Sequence, residues 1–197
     1  MTRLVAFALF LFPLALSAAS TRYSTVVIDA GHGGWDRGGV PGQRIAEKLV
    51  TLDVARRLQH YLDAREIRTV MTRSDDTFVP LGSRVRIANA QRKAIFVSVH
   101  FNSGQRVAAQ GIETYFYGRS GRSLARNIHS RMVRGLGAED RRVRQRGYFV
   151  LRRTRIPAVL VECGFLTNPY EGKLVERPDR RELIAAKIGE GILATIR

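Results

Sequence analysis

A chain of 197 residues, 45% of them hydrophobic, is long enough for one domain with a substantial core. A single cysteine, Cys163, excludes an intramolecular disulfide, so stability must come from packing and from whatever the polar residues bind. The formal charge of +16 attracts polyanions. With no RNP-type motif, zinc finger or interleaving of aromatic and basic residues, nucleic acid is not the expected partner.

Residues 1–19 read as a secretory signal. Arg3 supplies a short positive region, residues 4–16 are almost wholly apolar, and Ser17-Ala18-Ala19-Ser20 supplies the small residues of a cleavage site. The apolar run is too short to span a bilayer comfortably and Pro13 interrupts it, which argues against a retained membrane anchor. No cysteine follows the run, which argues against a lipoprotein. The mature chain, residues 20–197, is therefore expected as one exported domain in a periplasm or at a cell wall.

The apolar run at residues 25–30 predicts a buried first strand. A glycine-rich loop follows over 31–42, where Gly33, Gly34, Gly38 and Gly39 allow tight turns beside His32. Val50, Val54, Leu58, Tyr61 and Leu62 recur at helical spacing and predict a helix over 46–64. A short strand is expected at 68–72, then a loop marked by Ser74-Asp75-Asp76 and Pro80. A helix over 81–92, a buried strand at 94–100 and an alternating strand at 111–117 come next. A helix over 120–136 is closed by Gly137, strands are expected at 148–151 and 158–162, and a helix over 180–196 ends the chain. Strands alternating with helices predict an α/β fold: a mostly parallel, twisted sheet of about six strands with helices on both faces.

Three apolar runs end in side chains capable of chemistry. Val26-Val27-Ile28-Asp29-Ala30-Gly31 leads to His32, Ile95-Phe96-Val97-Ser98-Val99 to His100, and Val159-Leu160-Val161 to Glu162. Parallel sheets gather ligands at the carboxyl ends of their strands. Glu47 alone would be an ordinary first-turn carboxylate, favoured by the helix dipole. An acid at the end of a buried strand, such as Glu162, needs a partner. Two imidazoles and a carboxylate suit a catalytic zinc, and the remaining carboxylate can shuttle a proton. His60 and His129 lie among polar residues of helical stretches and are expected at the surface. Strand alternation turns Cys163 away from Glu162, as a packed thiol.

The run Ile28-Asp29-Ala30-Gly31-His32-Gly33-Gly34-Trp35-Asp36-Arg37-Gly38 resembles the opening motif of the zinc-dependent N-acetylmuramoyl-L-alanine amidases, the Amidase_3 family. The likeness continues through Thr72-Arg73-Ser74-Asp75-Asp76, through Leu81, Arg84, Ala88 and Asn89, and through Ser98-Val99-His100-Phe101-Asn102. It closes at Pro157-Ala158-Val159-Leu160-Val161-Glu162-Cys163-Gly164-Phe165-Leu166-Thr167-Asn168. This resemblance implies that His32, Glu47 and His100 hold one Zn2+ per chain and that Glu162 is the catalytic carboxylate. It further implies hydrolysis of the amide between N-acetylmuramic acid and L-alanine in peptidoglycan, by a chain expected to act as a monomer. Arg37 and Gly39 depart from the Pro and Ala usual in the opening motif. The close spacing of Tyr117 and Ser120 leaves no room there for the long occluding helix of some family members.

The basic residues include only four lysines, an arginine bias that suits carboxylate recognition and is equally compatible with genome composition. Arg141, Arg142 and Arg144 head a basic run that is either a substrate-binding rim or a solvated loop. Two other readings of the whole chain use the same fold: a non-catalytic protein binding cell-wall polyanions, and a zinc peptidase acting on stem peptides.

Overall fold

The computed structural model describes residues 22–39 and 43–196; the expected export signal lies outside them. Six strands form one sheet in the order β2-β1-β3-β6-β4-β5. They are β1 (Thr25–Ala30), β2 (Arg68–Met71), β3 (Ala94–Asn102), β4 (Ile112–Phe116), β5 (Asp140–Gln145) and β6 (Ala158–Phe165). All neighbours run parallel except β4 and β6, which are antiparallel. The helices are α1 (Glu47–Asp63), α2 (Leu81–Asn89), α3 (Arg122–Leu136), α4 (Phe149–Arg153), α5 (Pro169–Val175) and α6 (Pro178–Ile196).

Alternation along the central strands assigns each side chain to a face. Val26, Ile28, Val97, Val99, Val161 and Cys163 pack beneath α1, α3 and α6. Val27, Phe96, Tyr115 and Leu160 point the other way, onto Val85 and Ala88 of α2 and Val150 and Leu151 of α4. Central parallel strands buried on both faces read as unbroken apolar runs, and each fully buried Val, Leu, Ile or Phe contributes about 1.5–3 kcal/mol. Three long helices cover the first face closely. At Gly191 of α6 a Cβ would stand 2.8 Å from Cγ1 of Ile128 on α3, so only glycine allows that approach. The second face is roofed by two short helices, and past Leu160 and Phe96 its residues turn polar. Asp29, Ser98, His100, Glu113 and Glu162 all follow the parity of this thinly covered face.

Two sequence expectations need correction. Residues 148–151 are not a strand: Phe149–Arg153 form a helical turn that buries the adjacent Val150 and Leu151 together, which strand alternation would separate. The edge strand is instead β5, Asp140–Gln145, whose charged residues leave Val143 as its one aliphatic side chain. Charges suit an exposed edge and erase the alternating signal. Helix α5 was not anticipated, although Asn168 caps it by accepting from the N–H groups of Tyr170 and Glu171, with Pro169 next in line. Cys163 is buried on the face away from Glu162, as alternation requires. From β4 the chain passes almost directly into a 3-10 turn, Arg119–Gly121, and then α3.

Candidate metal centre

The chain leaves β1 and turns through α1 to β2 on one side, while β3 lies on the other side of β1. Such a switch opens a crevice at the strand ends, and His32 and His100 stand there. His32 follows β1 with φ 61°, a left-handed conformation that swings its ring back over the sheet end. Its Nε2 lies 3.0 Å from Oε2 of Glu47, and Nδ1 of His100 lies 3.0 Å from Oε1 of the same carboxylate. The two rings meet edge to face at 4.9 Å. One donor atom from each of the three residues falls within 4.8 Å of the others. Tetrahedral zinc with ligands at about 2.0–2.2 Å needs donors roughly 3.3 Å apart; the two imidazole–Glu47 distances of 3.0 Å are of that order, and the 4.8 Å limit on the whole set leaves about 1.5 Å to close at most around such an ion.

The surroundings fix the donors. Nδ1 of His32 lies 2.9 Å from Oδ2 of Asp36, which leaves Nε2 directed inward. A carboxylate behind an imidazole is the usual support of a metal-binding histidine. Gly31 and Gly38 make the cradle. A Cβ on Gly38 would stand 2.6 Å from Oε2 of Glu47 and from Cδ2 of His32, and one on Gly31 would stand 2.6 Å from Nε2 of His100. Beneath them Arg84 donates from Nη1 to Oδ1 of Asp29 at 2.8 Å and from Nη2 to the His32 carbonyl at 2.7 Å. Arg73 donates to the carbonyls of Ala30 and Gly31 at 3.0 and 2.8 Å. Thus the loop that presents His32 hangs from two arginines.

Electrostatics divides the carboxylates. Burial disfavours charge on Glu47, but hydrogen bonds with His100 and His32 outweigh it and hold the group at about 2. Against its own burial, His100 is lifted by Glu47 to about 9, and His32 is raised in the same way. Burial pushes Glu162 up to about 7, with His100 opposing and Glu47 assisting. Its Oε2 is buried without a hydrogen-bond partner. Glu47 is therefore held in its charged form between the two imidazoles, whereas burial favours the protonated form of Glu162. All four residues line one cavity of about 650 Å3, with Trp35, Phe78 and Asn102 along its wall. Trp35 is 77% exposed and stacks on Phe78 at 4.2 Å.

Arg141, Arg142 and Arg144 lie on edge strand β5 and do not line this cavity. Arg144 Nε lies 3.2 Å from buried Glu113, and Arg141 lies 3.6 Å from Glu139 with its guanidinium over the Phe165 ring. Arg142 has φ 79° at a bulge in the β4–β5 register, which lets Arg141 and Arg144 share a face. Glu113 also accepts from Asn102 and Tyr115 at 3.1 and 2.8 Å, and is paired in register with Glu162. His60 is exposed, as expected. The expectation for His129 is corrected: it is 6% exposed, 3.0 Å from Thr114 Oγ1 and 2.8 Å from Asp140 Oδ1. It lies one turn beyond Ala125 on the inner stripe of α3, and partners on β4 and β5 make its burial tolerable. Sequence reasoning missed the supporting roles of Asp29, Asp36, Arg73 and Arg84, though each lies in a quoted motif; Asp36, four residues after His32, carried the clearest signal.

A family model described as N-acetylmuramoyl-L-alanine amidase matches residues 26–194. The uncharacterised protein YqiI of Bacillus subtilis is 38% identical over 189 residues, covering 94% of this chain and 91% of that protein. The germination-specific N-acetylmuramoyl-L-alanine amidase of the same organism is 31% identical over 185 residues, covering 85% and 78%. Among solved structures, the catalytic domain of CwlV, the N-acetylmuramoyl-L-alanine amidase of Bacillus (Paenibacillus) polymyxa var. colistinus, superposes with a TM-score of 0.83 at 36% identity. That match covers 88% of this chain and 99% of the domain. A six-stranded sheet of this topology, the polar cluster at its switch point and these relatives agree: the chain belongs to the Amidase_3 family and is an N-acetylmuramoyl-L-alanine amidase.

Proposed function

We propose that this enzyme cleaves the amide between N-acetylmuramic acid and L-alanine of peptidoglycan with zinc held by His32, Glu47 and His100 and with Glu162 as the proton shuttle. The observation that carries the reading is the convergence of three donors within 4.8 Å beside a carboxylate whose buried oxygen lacks a partner. When bound there, zinc would lower the pKa of water to ~7 and polarise the scissile carbonyl.

Glu162 takes a proton from the attacking water as oxygen bonds to the carbonyl carbon. It returns that proton to the alanine nitrogen as the C–N bond breaks, leaving the muramic carboxyl group and a free stem peptide. Asp36 keeps His32 in the tautomer that faces inward. The exposed Trp35 offers an aromatic face to a sugar ring at the cavity mouth. Arg142, exposed on the edge strand, extends the surface for stem-peptide carboxylates, while Arg144 and Arg141 lie against Glu113 at 3.2 and 3.9 Å. Export through residues 1–19 and action as a monomer in the periplasm or wall complete the reading.

Mass spectrometry of purified muropeptides digested with and without chelator tests it. Intact stem peptides should be released and chelation should stop their release. Shortened peptides would assign the centre to a peptidase, and unchanged muropeptides would leave a binding protein.

A further inference from the structure

The catalytic cavity continues past Glu162, away from the metal centre. Glu162 on β6 pairs in register with His100 on β3 and, on its other side, with Glu113 on β4. Neighbouring strands lie about 4.8 Å apart, so Glu162 stands between the metal centre and Glu113. Tyr115 follows Glu113 on the same face of β4 and donates to its Oε2 at 2.8 Å. Tyr148, which precedes α4, sets its ring edge-on to Tyr115 at 5.1 Å and lines the cavity together with Glu162. Tyr148 thus overhangs the β4 side of the cavity.

Most hydrogen-bond donors among the cavity's side chains are already spent. Arg84 is bound to Asp29 and to the His32 carbonyl. Asn102 donates to Glu113, and Ser103 to Gln43. The rings of His32 and His100 are turned to Asp36 and Glu47. Trp35 stands at the mouth, stacked on Phe78. Tyr148 differs from these. No carboxylate, carbonyl or amide of the described residues accepts its proton, and the hydroxyl beside it, that of Tyr115, gives its own proton to Glu113. Nor does the Tyr148 hydroxyl hold the local fold, since the side chain makes no capping bond to α4. Partial burial, with the Glu162 carboxyl next in effect, raises this phenol above its ordinary 10, so it remains a donor.

The path of the substrate follows from the proposed reaction, on which this inference rests. The scissile carbonyl faces the three metal donors, and the alanine nitrogen faces Glu162, which returns its proton. The C–N bond therefore points from β3 toward β6, and the peptide runs on over β4. The alanine carbonyl carbon lies about 2.5 Å beyond that nitrogen, two covalent bonds away and within one strand spacing. The muramoyl group falls on the opposite side, toward Trp35. We infer that the Tyr148 hydroxyl donates a hydrogen bond to the carbonyl oxygen of the alanine residue being released. This contact holds the stem peptide across Glu162 and keeps the departing nitrogen within its reach.

A double-mutant cycle between enzyme and substrate tests the contact. One ligand is N-acetylmuramoyl-L-alanyl-D-isoglutamine. The other is its analogue with an (E)-alkene in place of the alanyl–isoglutaminyl peptide bond, which keeps the shape and the scissile amide but lacks the oxygen. Y148F removes only the hydroxyl and keeps the ring against Tyr115. Dissociation constants are measured by calorimetry on chelated protein, and kcat/KM on zinc-loaded enzyme. Y148F should weaken binding of the natural ligand and lower its kcat/KM by about fivefold each, the usual effect of one neutral hydrogen bond. With the alkene the two proteins should agree within about twofold, and Tm should not change. Equal losses with both ligands would make Tyr148 a packing residue, and no loss with either would place it outside the substrate path; each result overturns the contact. Failure of the amidase mechanism is a different result, in which wild type hydrolyses neither ligand while the binding cycle on chelated protein still reads the contact. Wild type that neither binds nor hydrolyses either ligand would overturn both.

Discussion

Replacing Arg84 with methionine removes the cation under the His32 loop while keeping most of the volume. Arg84 and Asp29 are 3% and 1% exposed and 2.8 Å apart. Removing one partner of a buried pair costs about 3–5 kcal/mol, because the other charge remains without solvent. Thr72 and Ser98 still donate to Asp29, at 2.7 and 2.6 Å, which puts the loss toward the lower end. In a domain of this size about 3 kcal/mol lowers Tm by roughly 6–12 °C, a large part of a total stability of about 5–15 kcal/mol. Burial opposes charge on Asp29, but Arg84, Ser98 and Thr72 hold its carboxyl below the ordinary 3.8. Its contribution is therefore complete above that value and is lost as pH falls through the lower folded value. In R84M burial dominates, the carboxyl rises, and acid protonates it at little penalty. The gap between wild type and R84M should thus be widest near neutrality and close below about pH 3.8. Urea unfolding in chelator, followed by circular dichroism across pH, measures it. D29N/R84M should recover more than half the loss, because no unpaired charge is left. A loss under about 1 kcal/mol at pH 7, or a double variant no more stable than R84M, would refute the buried-pair reasoning.

Glu162→Gln should lower kcat by roughly 10²–10⁴-fold with metal content unchanged, read by turnover and elemental analysis together; an emptied site would exchange its role with that of Glu47. Purified enzyme should hold about one zinc per chain, and His100→Ala should lose metal and activity together, whereas full activity of metal-free protein would reject the centre. Gly38→Ala places a methyl group against Glu47 and His32 at a φ of 67°, so zinc affinity measured by chelator competition should fall while the helical circular dichroism signal persists. Arg141, Arg142 and Arg144 changed together to Gln should raise KM on sacculi and, since Glu113 loses its cations, also lower Tm; unchanged values for both would leave β5 without either role.

The centre of the sheet was legible because burial on both faces writes itself as unbroken apolar sequence. β1, β3 and β6 are such runs, and each expected strand falls within a residue or a few of the observed one. The edge was not legible, for the opposite reason. Asp140–Gln145 becomes a strand through its pairing with β4, and nothing in Asp-Arg-Arg-Val-Arg-Gln announces that partner. The run at Tyr148–Leu151 misled because four apolar residues are compatible with a strand or a buried helical turn, and only the neighbouring α2 decides.

At the site, His32, His100 and Glu162 could be read singly because each ends an apolar run, whereas Glu47 was made a donor only by the family resemblance and the supports of the donors were not read at all. Asp29 looks like one polar residue in a strand, and Arg84 like one basic residue in a helix, until folding sets them 2.8 Å apart across 55 positions of sequence. The same holds for charge. A net +16 suggests a uniformly basic surface, yet folding sorts the arginines by partner. Arg141 and Arg144, which headed the conspicuous run, are drawn onto the buried Glu113. Arg119, Arg122 and Arg126, inconspicuous in sequence, share one cavity without a carboxylate. Linear charge density in this chain is therefore a poor guide to which cations the fold leaves unneutralised.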